Sequence, residues 1–309
     1  LSLEITMRPV TLLIIGIALT LSAACGVRQK SYGSAEEATQ ALLAAVKDGK
    51  TRGLLEVLGP DTKDLVESGD PVQDENARDE FLKQYDTSHS LASDAEGRMV
   101  LQVGTDPWPF PFPLVEENGK WRFDSSGGVE EVINRRVGAN ELYTIQACLA
   151  YVDAQREYYL RNPNGDPLLH YARHLLSSEG KRDGLYFEVR GDEPESPLGA
   201  AFARARDEGY LKEGAARPEP YHGYVYRLLT SQGANAPGGA YDYVVRDQML
   251  GGFAVIAHPA DYGNSGVMTF IVSHDGVVFS KDLGPDTAEA AGAITQYDPD
   301  GSWKREAAI

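Results

Sequence analysis

The stretch Asn140-Glu-Leu-Tyr-Thr-Ile-Gln-Ala-Cys-Leu-Ala-Tyr-Val-Asp-Ala-Gln-Arg-Glu-Tyr-Tyr159 decides how this chain is read. Leu142, Ile145, Leu149 and Val152 recur at spacings of three, four and three, and Tyr159 continues the stripe seven residues on. That period makes one apolar helix face, with Asp153, Arg156 and Glu157 turned to water. Asn140 is placed to cap the helix, with Glu141 in the favoured first turn. Pro163 ends it, because proline disfavours the αR conformation in the residue before it. Beyond the helix the period changes to two. Tyr224–Leu229, Tyr241–Val245, Phe253–Ala257, Val267–Val272 and Val277–Phe279 read as strands, the last pair closed by the tight turn His274-Asp275-Gly276. One amphipathic helix on an antiparallel meander lets each element bury its apolar face in two layers. The loops between Asn162 and Tyr221 are rich in Gly, Pro and charge and admit one short helix, around Ala200–Arg206.

Upstream, Ser34-Ala35-Glu36-Glu37 has the form of a capping box, opening a helix whose stripe is Ala38, Leu42, Ala45 and Val46 and which ends at Asp48-Gly49. Helices over Thr51–Leu58 and about Glu75–Tyr85 follow, the latter burying Phe81, Leu82 and Tyr85. Strands at Arg98–Val103 and Phe112–Glu116 come next, then an Asn118-Gly119 turn and a return strand at Trp121–Phe123. The ring-and-proline stretch Pro107–Pro113 cannot sit in a central strand and is expected to cover a sheet edge. Helices followed by a curved antiparallel sheet resemble the cystatin-like or NTF2-like layout, a fold analogy without functional weight. Ser125-Ser126-Gly127-Gly128 is the best boundary. The expected organisation is therefore a signal at 1–24, a tether at 25–33, an N-terminal α+β domain at 34–126 and a C-terminal domain at 127–309.

The first segment reads as an address. Met7-Arg8 is followed by an apolar run over Val10–Leu21 and by Ser22-Ala23-Ala24-Cys25, the plan of a secretory signal. The six residues before Met7 are taken to reflect a mis-set start. Small residues directly before Cys25 resemble the lipobox of bacterial lipoproteins, in which the cysteine receives a diacylglyceryl group, although Ser22 stands where that pattern wants Leu. An ordinary cut after Ala24 fits the same residues. Either route exports the chain and makes it periplasmic, and the first route anchors it in a membrane through Cys25.

The 309 residues carry 46 Asp+Glu against 29 Lys+Arg, a formal charge of −17. Nucleic-acid binding is not expected of such a chain, because phosphate neutralisation needs clustered cations. Two cysteines exclude a disulfide scaffold and a four-cysteine zinc ribbon. Cys148, inside the helical pattern, reads as a small core residue. Ser178-Glu-Gly-Lys181 matches Ser-x-x-Lys, but Gly180 breaks the helical turn that this chemistry needs and its partner motifs are missing. His170 and His174 have helix-face spacing but lack the Glu of the zinc-protease motif, so they read as helix-surface histidines. Asp298-Pro-Asp-Gly301 reads as a turn, lacking the other ligands of a calcium loop. Gly263-Asn-Ser-Gly266 is no nucleophile elbow. No catalytic residue, cofactor site or metal site is assigned.

Thirteen of the sixteen tyrosines lie between Tyr143 and Tyr262. They suit strands by propensity, and on a surface they would grip a sugar or an extended peptide. Tyr221, His222, Tyr224, Tyr262 and Asn264 are the candidate partner-binding residues.

Several strings together carry a resemblance: Arg135-Arg-Val-Gly-Ala-Asn-Glu-Leu142, Tyr151-Val-Asp-Ala-Gln-Arg-Glu-Tyr158, Pro220-Tyr-His-Gly-Tyr224, Gly233-Ala-Asn-Ala-Pro-Gly-Gly239, Gly251-Gly-Phe-Ala254 and Tyr262-Gly-Asn-Ser-Gly-Val-Met-Thr-Phe270. The chain is similar, over nearly everything after the signal, to a bacterial envelope family known as domain of unknown function 2950. That family brings no activity and no catalytic roles. The C-terminal part also resembles the globular half of type II secretion pseudopilins, without their exposed N-terminal stem, which implies a pilin-like shape without filament assembly. The resulting expectation is a lipid-anchored envelope protein that binds a protein or glycan partner. The alternatives are a cell-wall hydrolase or transferase with an unrecognised active site, and an accessory subunit of a secretion or pilus system.

Overall fold

A computed structural model describes residues 27–126, 128–189, 191–210 and 220–307. The signal and Cys25 lie outside the described residues. The fold is mixed α+β, as expected.

The N-terminal unit opens with α1 (Ala35–Asp48) and α2 (Thr51–Leu58), then a 3-10 turn at Pro60–Thr62 and the single turn α3 (Lys63–Val66). The Ser34 hydroxyl accepts from the Glu37 amide at 3.2 Å, and the Glu37 carboxylate reaches back to the Gly33 amide at 2.8 Å, one residue further than a standard box. Gly49 closes α1 at φ 66°, a left-handed cap that costs glycine nothing. The helix expected from Glu75 is longer: α4 (Pro71–Thr87) starts at a proline in its first turn, behind Asp70 as N-cap. A sheet follows, with β1 (His89–Ser93), β2 (Met99–Val103), β3 (Trp108–Pro109), β4 (Leu114–Glu117) and β5 (Lys120–Phe123) in the order β1-β2-β4-β5 and β3 also on β2. Asn118 and Gly119 turn β4 into β5 with φ of 54° and 73°. The ring-and-proline stretch does more than cover an edge. Trp108 and Pro109 pair with β2, and Phe112 is buried in the core, where Phe110 stacks edge-on with Phe112 and Phe123.

The expected tether is docked from Gln29 onward. The Gln29 amide reaches the carbonyls of Val57, Leu58 and Phe123 at 3.1, 3.1 and 2.8 Å, and Tyr32 forms a bridge with Trp121.

α5 (Val129–Arg161) is one helix of 33 residues, about 50 Å long at 1.5 Å per residue. It runs straight through the expected cap at Asn140. That side chain needs no capping role, because long-range partners hold both ends of its amide. Gln73 Nε2 donates to Asn140 Oδ1 at 2.9 Å, and Asn140 Nδ2 donates to the Ser265 carbonyl at 2.9 Å. The buried face is Ile145, Cys148, Tyr151, Val152, Gln155 and Tyr158, while Leu142, expected in the stripe, is 56% exposed. Gln155 is buried among them because its amide forms both backbone hydrogen bonds of Ala172, each at 2.9 Å. The first turn of α5 reaches the N-terminal core through Val129 and its later turns fill the C-terminal one, so it is a spine shared by both.

Between Asn162, a left-handed cap at φ 45°, and Tyr221 lie two parallel strands that the sequence reading missed, β6 (His174–Leu176) and β7 (Gly184–Tyr186), and then α6 (Gly199–Asp207) where a short helix was expected. β8 (Tyr224–Leu229) and β9 (Ser231–Gln232) follow. The strand expected over Tyr241–Val245 is broken into β10 (Tyr241–Asp242), paired with β9, and β11 (Val244–Val245), paired with β12 (Gln248–Met249). Then come β13 (Ala254–Pro259), β14 (Met268–Ser273), β15 (Val278–Asp282), α7 (Thr287–Ala293) and the edge strand β16 (Lys304–Arg305). The main sheet has the order β16-β15-β14-β13-β8 and every pair is antiparallel, so it is a meander. Tyr226 and Arg227 point to opposite faces of β8. The Tyr226 hydroxyl lies 3.4 Å from Thr144 of α5, while Arg227 bonds the carbonyls of Ala291 and Ile294 at 2.7 and 2.6 Å. The sheet is thus covered by α5 on one face and by α7 with the C-terminal segment on the other. No helix among the described residues is long and apolar enough to cross a membrane.

Candidate functional site

Tyr221, His222, Tyr224 and Asn264 lie along the seam where α4 meets α5 and the loop before β8. Asp70 is the centre of this seam and is fully buried. Its Oδ1 caps α4, accepting from the amides of Val72 and Gln73, each at 3.1 Å. Its Oδ2 accepts from the Tyr210 hydroxyl at 2.9 Å and from the Gly223 amide at 2.8 Å. Four donors on one buried carboxylate satisfy a charge that would otherwise be costly to desolvate.

Tyr221-His222-Gly223-Tyr224 is a two-residue turn. Tyr221 N donates to Tyr224 O at 2.8 Å and Tyr224 N to Tyr221 O at 3.2 Å, with positive φ at His222 (48°) and Gly223 (75°). Gly223 is required sterically as well, since a Cβ there would stand 2.6 Å from Asn140 Nδ2. The turn presents the His222 ring flat against Tyr143, with centroids 4.5 Å apart and planes 14° from parallel, and edge-on to Tyr221 at 4.4 Å. Burial lowers the His222 pKa below its ordinary value, and the nearby carboxylates of Glu208 and Asp70 oppose that shift. Glu208 Oε2 stands 3.4 Å from His222 Nε2 but is not aligned for a hydrogen bond, so their attraction is electrostatic and depends on a proton on the ring. Burial also raises the Tyr210 pKa, with Asp70 adding to the effect, which keeps that hydroxyl a donor.

A second arm of the seam is built on Arg136. Its guanidinium donates to Asn264 Oδ1 at 2.7 Å and to the carbonyls of Asp64 and Leu65 at 2.8 and 2.5 Å. Asn264 passes the link to the Glu67 carbonyl at 2.6 Å and to Asp261 at 3.0 Å. Burial lowers the Arg136 pKa and raises that of Asp74, whose carboxylate accepts from the Ser68 amide.

The five candidates therefore separate. Tyr221 and His222 sit together, half-buried, beside the half-exposed Tyr143. Tyr224 and Asn264 are corrections. Tyr224 is fully buried and its hydroxyl donates to the Met268 carbonyl at 2.9 Å, and Asn264 is buried with both ends of its amide engaged. Their polar groups hold the fold together. Tyr262 is directed elsewhere by its hydroxyl, which is bonded to Asp282 at 3.0 Å. Sequence reading missed Asp70, Tyr143 and Glu208. Asp70 had left a signal, an N-cap residue directly before proline.

The rejected motifs are placed as follows. The Ser178 hydroxyl donates to Asp183 Oδ2 at 2.9 Å, stapling a turn. His170 and His174 are not on a helix: His170 is in a loop, 2.8 Å from Asp166, and His174 is on β6. Cys148 is buried and burial pushes its thiol up to about 12, so it stays protonated and unreactive. Asp298 accepts twice from Asn235, which is 63 residues away in the chain, and the turn lies just after it, closed by the Trp303 amide on the Asp300 carbonyl. A cleft of about 580 Å³ beside the Ser178 turn is lined by Asn164, Lys181, Arg182 and Asp183 among others, and neither Ser178 nor His222 lines it.

Together these features define an α+β protein of two antiparallel-sheet units on one helical spine, whose junction is a hydrogen-bonded, aromatic-edged seam. Over residues 29–306 the chain matches the family described as Protein of unknown function (DUF2950), and it belongs to that family. No curated protein and no solved structure matches it.

Proposed function

We propose that this protein is an exported, lipid-anchored envelope protein that works by binding a protein or glycan partner. The observation that carries the reading is the exposed aromatic edge of the seam. Tyr143 is 50% exposed, stacked on His222, and held by a turn that Asp70, Tyr210 and Gly223 fix from beneath. Such rigid, amphipathic rings give contact area at low entropic cost. Behind them Asp70, Tyr210 and Asn140 are spent on internal hydrogen bonds, which favours a contact surface, while Gln73 Oε1 and Glu208 Oε2 are buried without a hydrogen-bond partner.

Anchoring has a geometric consequence. Only three residues separate Cys25 from Gln29, which is docked on the N-terminal core. A span of four residue steps reaches at most about 14 Å. An acylated Cys25 therefore holds this unit against the bilayer surface, and with a charge of −17 the acyl chains must supply the attachment. The one long helix on an antiparallel meander is compatible with a pilin-like shape, and an accessory role in a secretion system is carried only by that likeness. The test is fractionation. Cys25→Ser should move the protein from the membrane pellet to the soluble periplasm, and unchanged pelleting refutes acylation.

A further inference from the structure

On the sheet face opposite α5, a cleft of about 260 Å³ opens between β15 and the segments that follow α7. Ile271 and Ile294 supply the apolar part of its lining, and Lys281, Thr295, Gln296, Asp298 and Trp303 the rest. The placement follows from the meander. Thr269 pairs with Lys281 and Ile271 with Phe279, so residues 269, 271, 279 and 281 share one face, the face covered by α7.

We infer that this cleft is a binding subsite for one neutral pyranose ring of a glycan. The lining combines a flat ring with balanced donors and acceptors. Trp303 is half-buried and fixed by the Asp300–Ser302 turn, whose Ser302 amide donates to Asp300 at 2.9 Å. The Lys281 ammonium donates to Ser302 Oγ at 2.8 Å and lies over the Trp303 ring, 5.8 Å from its centroid, so a sugar meets the indole beside that ammonium; its other two donors have no hydrogen-bond partner among the described residues. Asp298 accepts from Asn235 at 2.7 and 3.0 Å and retains lone pairs on both oxygens. Thr295 and Gln296 are exposed, and their side chains make no hydrogen bond among the described residues. One cation faces one anion, so the cleft selects for neither charge. The volume lies just under the roughly 300 Å³ at which small-ligand pockets begin, a size for a single ring. A sugar offers the matching chemistry, an apolar C–H face for the indole and hydroxyls that donate and accept around its rim. An extended peptide fits less well, because β15 already pairs with β16 at Phe279 and Ser280 and its edge there takes no added strand.

This subsite rests on the binding-module reading but is separate from the Tyr143 edge. The test is isothermal titration of the exported chain with two probes, a β-1,4-linked N-acetylglucosamine tetramer and a β-1,4-linked glucose tetramer. Saturable binding of at least one is expected, weakened at least tenfold by Trp303→Ala and several-fold by Lys281→Met, while Asp106→Asn, at an exposed position of the N-terminal unit, leaves it unchanged. A Trp303→Phe variant keeps an aromatic platform, and it should retain most of the affinity. Circular dichroism of each variant separates lost binding from lost folding. Absence of saturable binding to both probes, or binding that Trp303→Ala does not weaken in a folded protein, overturns the inference. Either result leaves the Tyr143 surface to stand or fall on its own crosslinking test.

Discussion

Replacing Asp70 by alanine removes the most heavily used buried carboxylate in the molecule. Two separate losses follow. The α4 amides of Val72 and Gln73 lose their cap, which costs about 1 kcal/mol. The Tyr210 hydroxyl and the Gly223 amide lose their acceptor while remaining buried, at about 1–3 kcal/mol each. Together the expected destabilisation is about 3–7 kcal/mol, against a total of about 5–15 kcal/mol for a folded domain. With a urea slope of about 3 kcal/mol/M, the unfolding midpoint should fall by about 1–2 M. The assay is urea unfolding of the exported chain, followed by circular dichroism and tryptophan fluorescence. Tyr210→Phe alone should cost about 1.5–3 kcal/mol, one hydrogen bond to a charged group. Combined with Asp70→Ala it should cost less than the two single changes added, because both remove the same bond. A midpoint shift below about 0.3 M for Asp70→Ala, or strict additivity in the pair, would refute the claim that Asp70 ties the N-terminal helices to the loop before β8.

Two further outcomes are expected. Phe253→Ala should destabilise the C-terminal unit by about 3–5 kcal/mol, because its fully buried ring packs edge-on against Tyr151 and Tyr171 at 5.5 and 4.8 Å, and a loss under about 1 kcal/mol in urea unfolding would contradict the core assignment. The folded His222 has a pKa below its ordinary value of 6.5, so its neutral form is favoured by folding. Its contribution is fully present above pH 6.5 and is lost as pH falls through the lower folded value. His222→Gln should therefore flatten the fall in stability below pH 6.5, leaving a residual slope from His258, which burial shifts the same way. Identical pH–stability profiles for the two proteins would exclude the assignment.

Periodicity made the central architecture legible. The stretches at Tyr224–Leu229 and around Phe253, Phe270 and Val278 are short runs rich in β-branched and aromatic residues, and the Asp275-Gly276 turn fixes the β14–β15 hairpin as Asn118-Gly119 fixes β4–β5, so strand and turn signals agree. What escaped depended on distant partners. Asn140 has the chemistry of a helix cap, yet it lies mid-helix because Gln73 and Ser265, far away in sequence, satisfy its amide. Leu142 fits the stripe by spacing, but the covered face of α5 is rotated toward Cys148, Tyr151 and Gln155, and a buried glutamine is invisible to a hydrophobic pattern. β6 and β7 are three residues each, too short to show a period. The candidate site was legible in part. The Gly223 turn marked the place. Burial then sorted its neighbours, turning Tyr224 and Asn264 inward and leaving Tyr143, which had been counted only as one tyrosine among many, at the surface.

The proposed contact of the Tyr143–His222 edge with a partner outside the cytoplasm is open to direct measurement. Its most direct measurement places a photoreactive amino acid at Tyr143 in intact cells, with the exposed Asp106 as a control position. The account predicts a discrete crosslinked adduct in the envelope fraction from position 143 and none from position 106. No adduct from 143, or the same adducts from both positions, would contradict it.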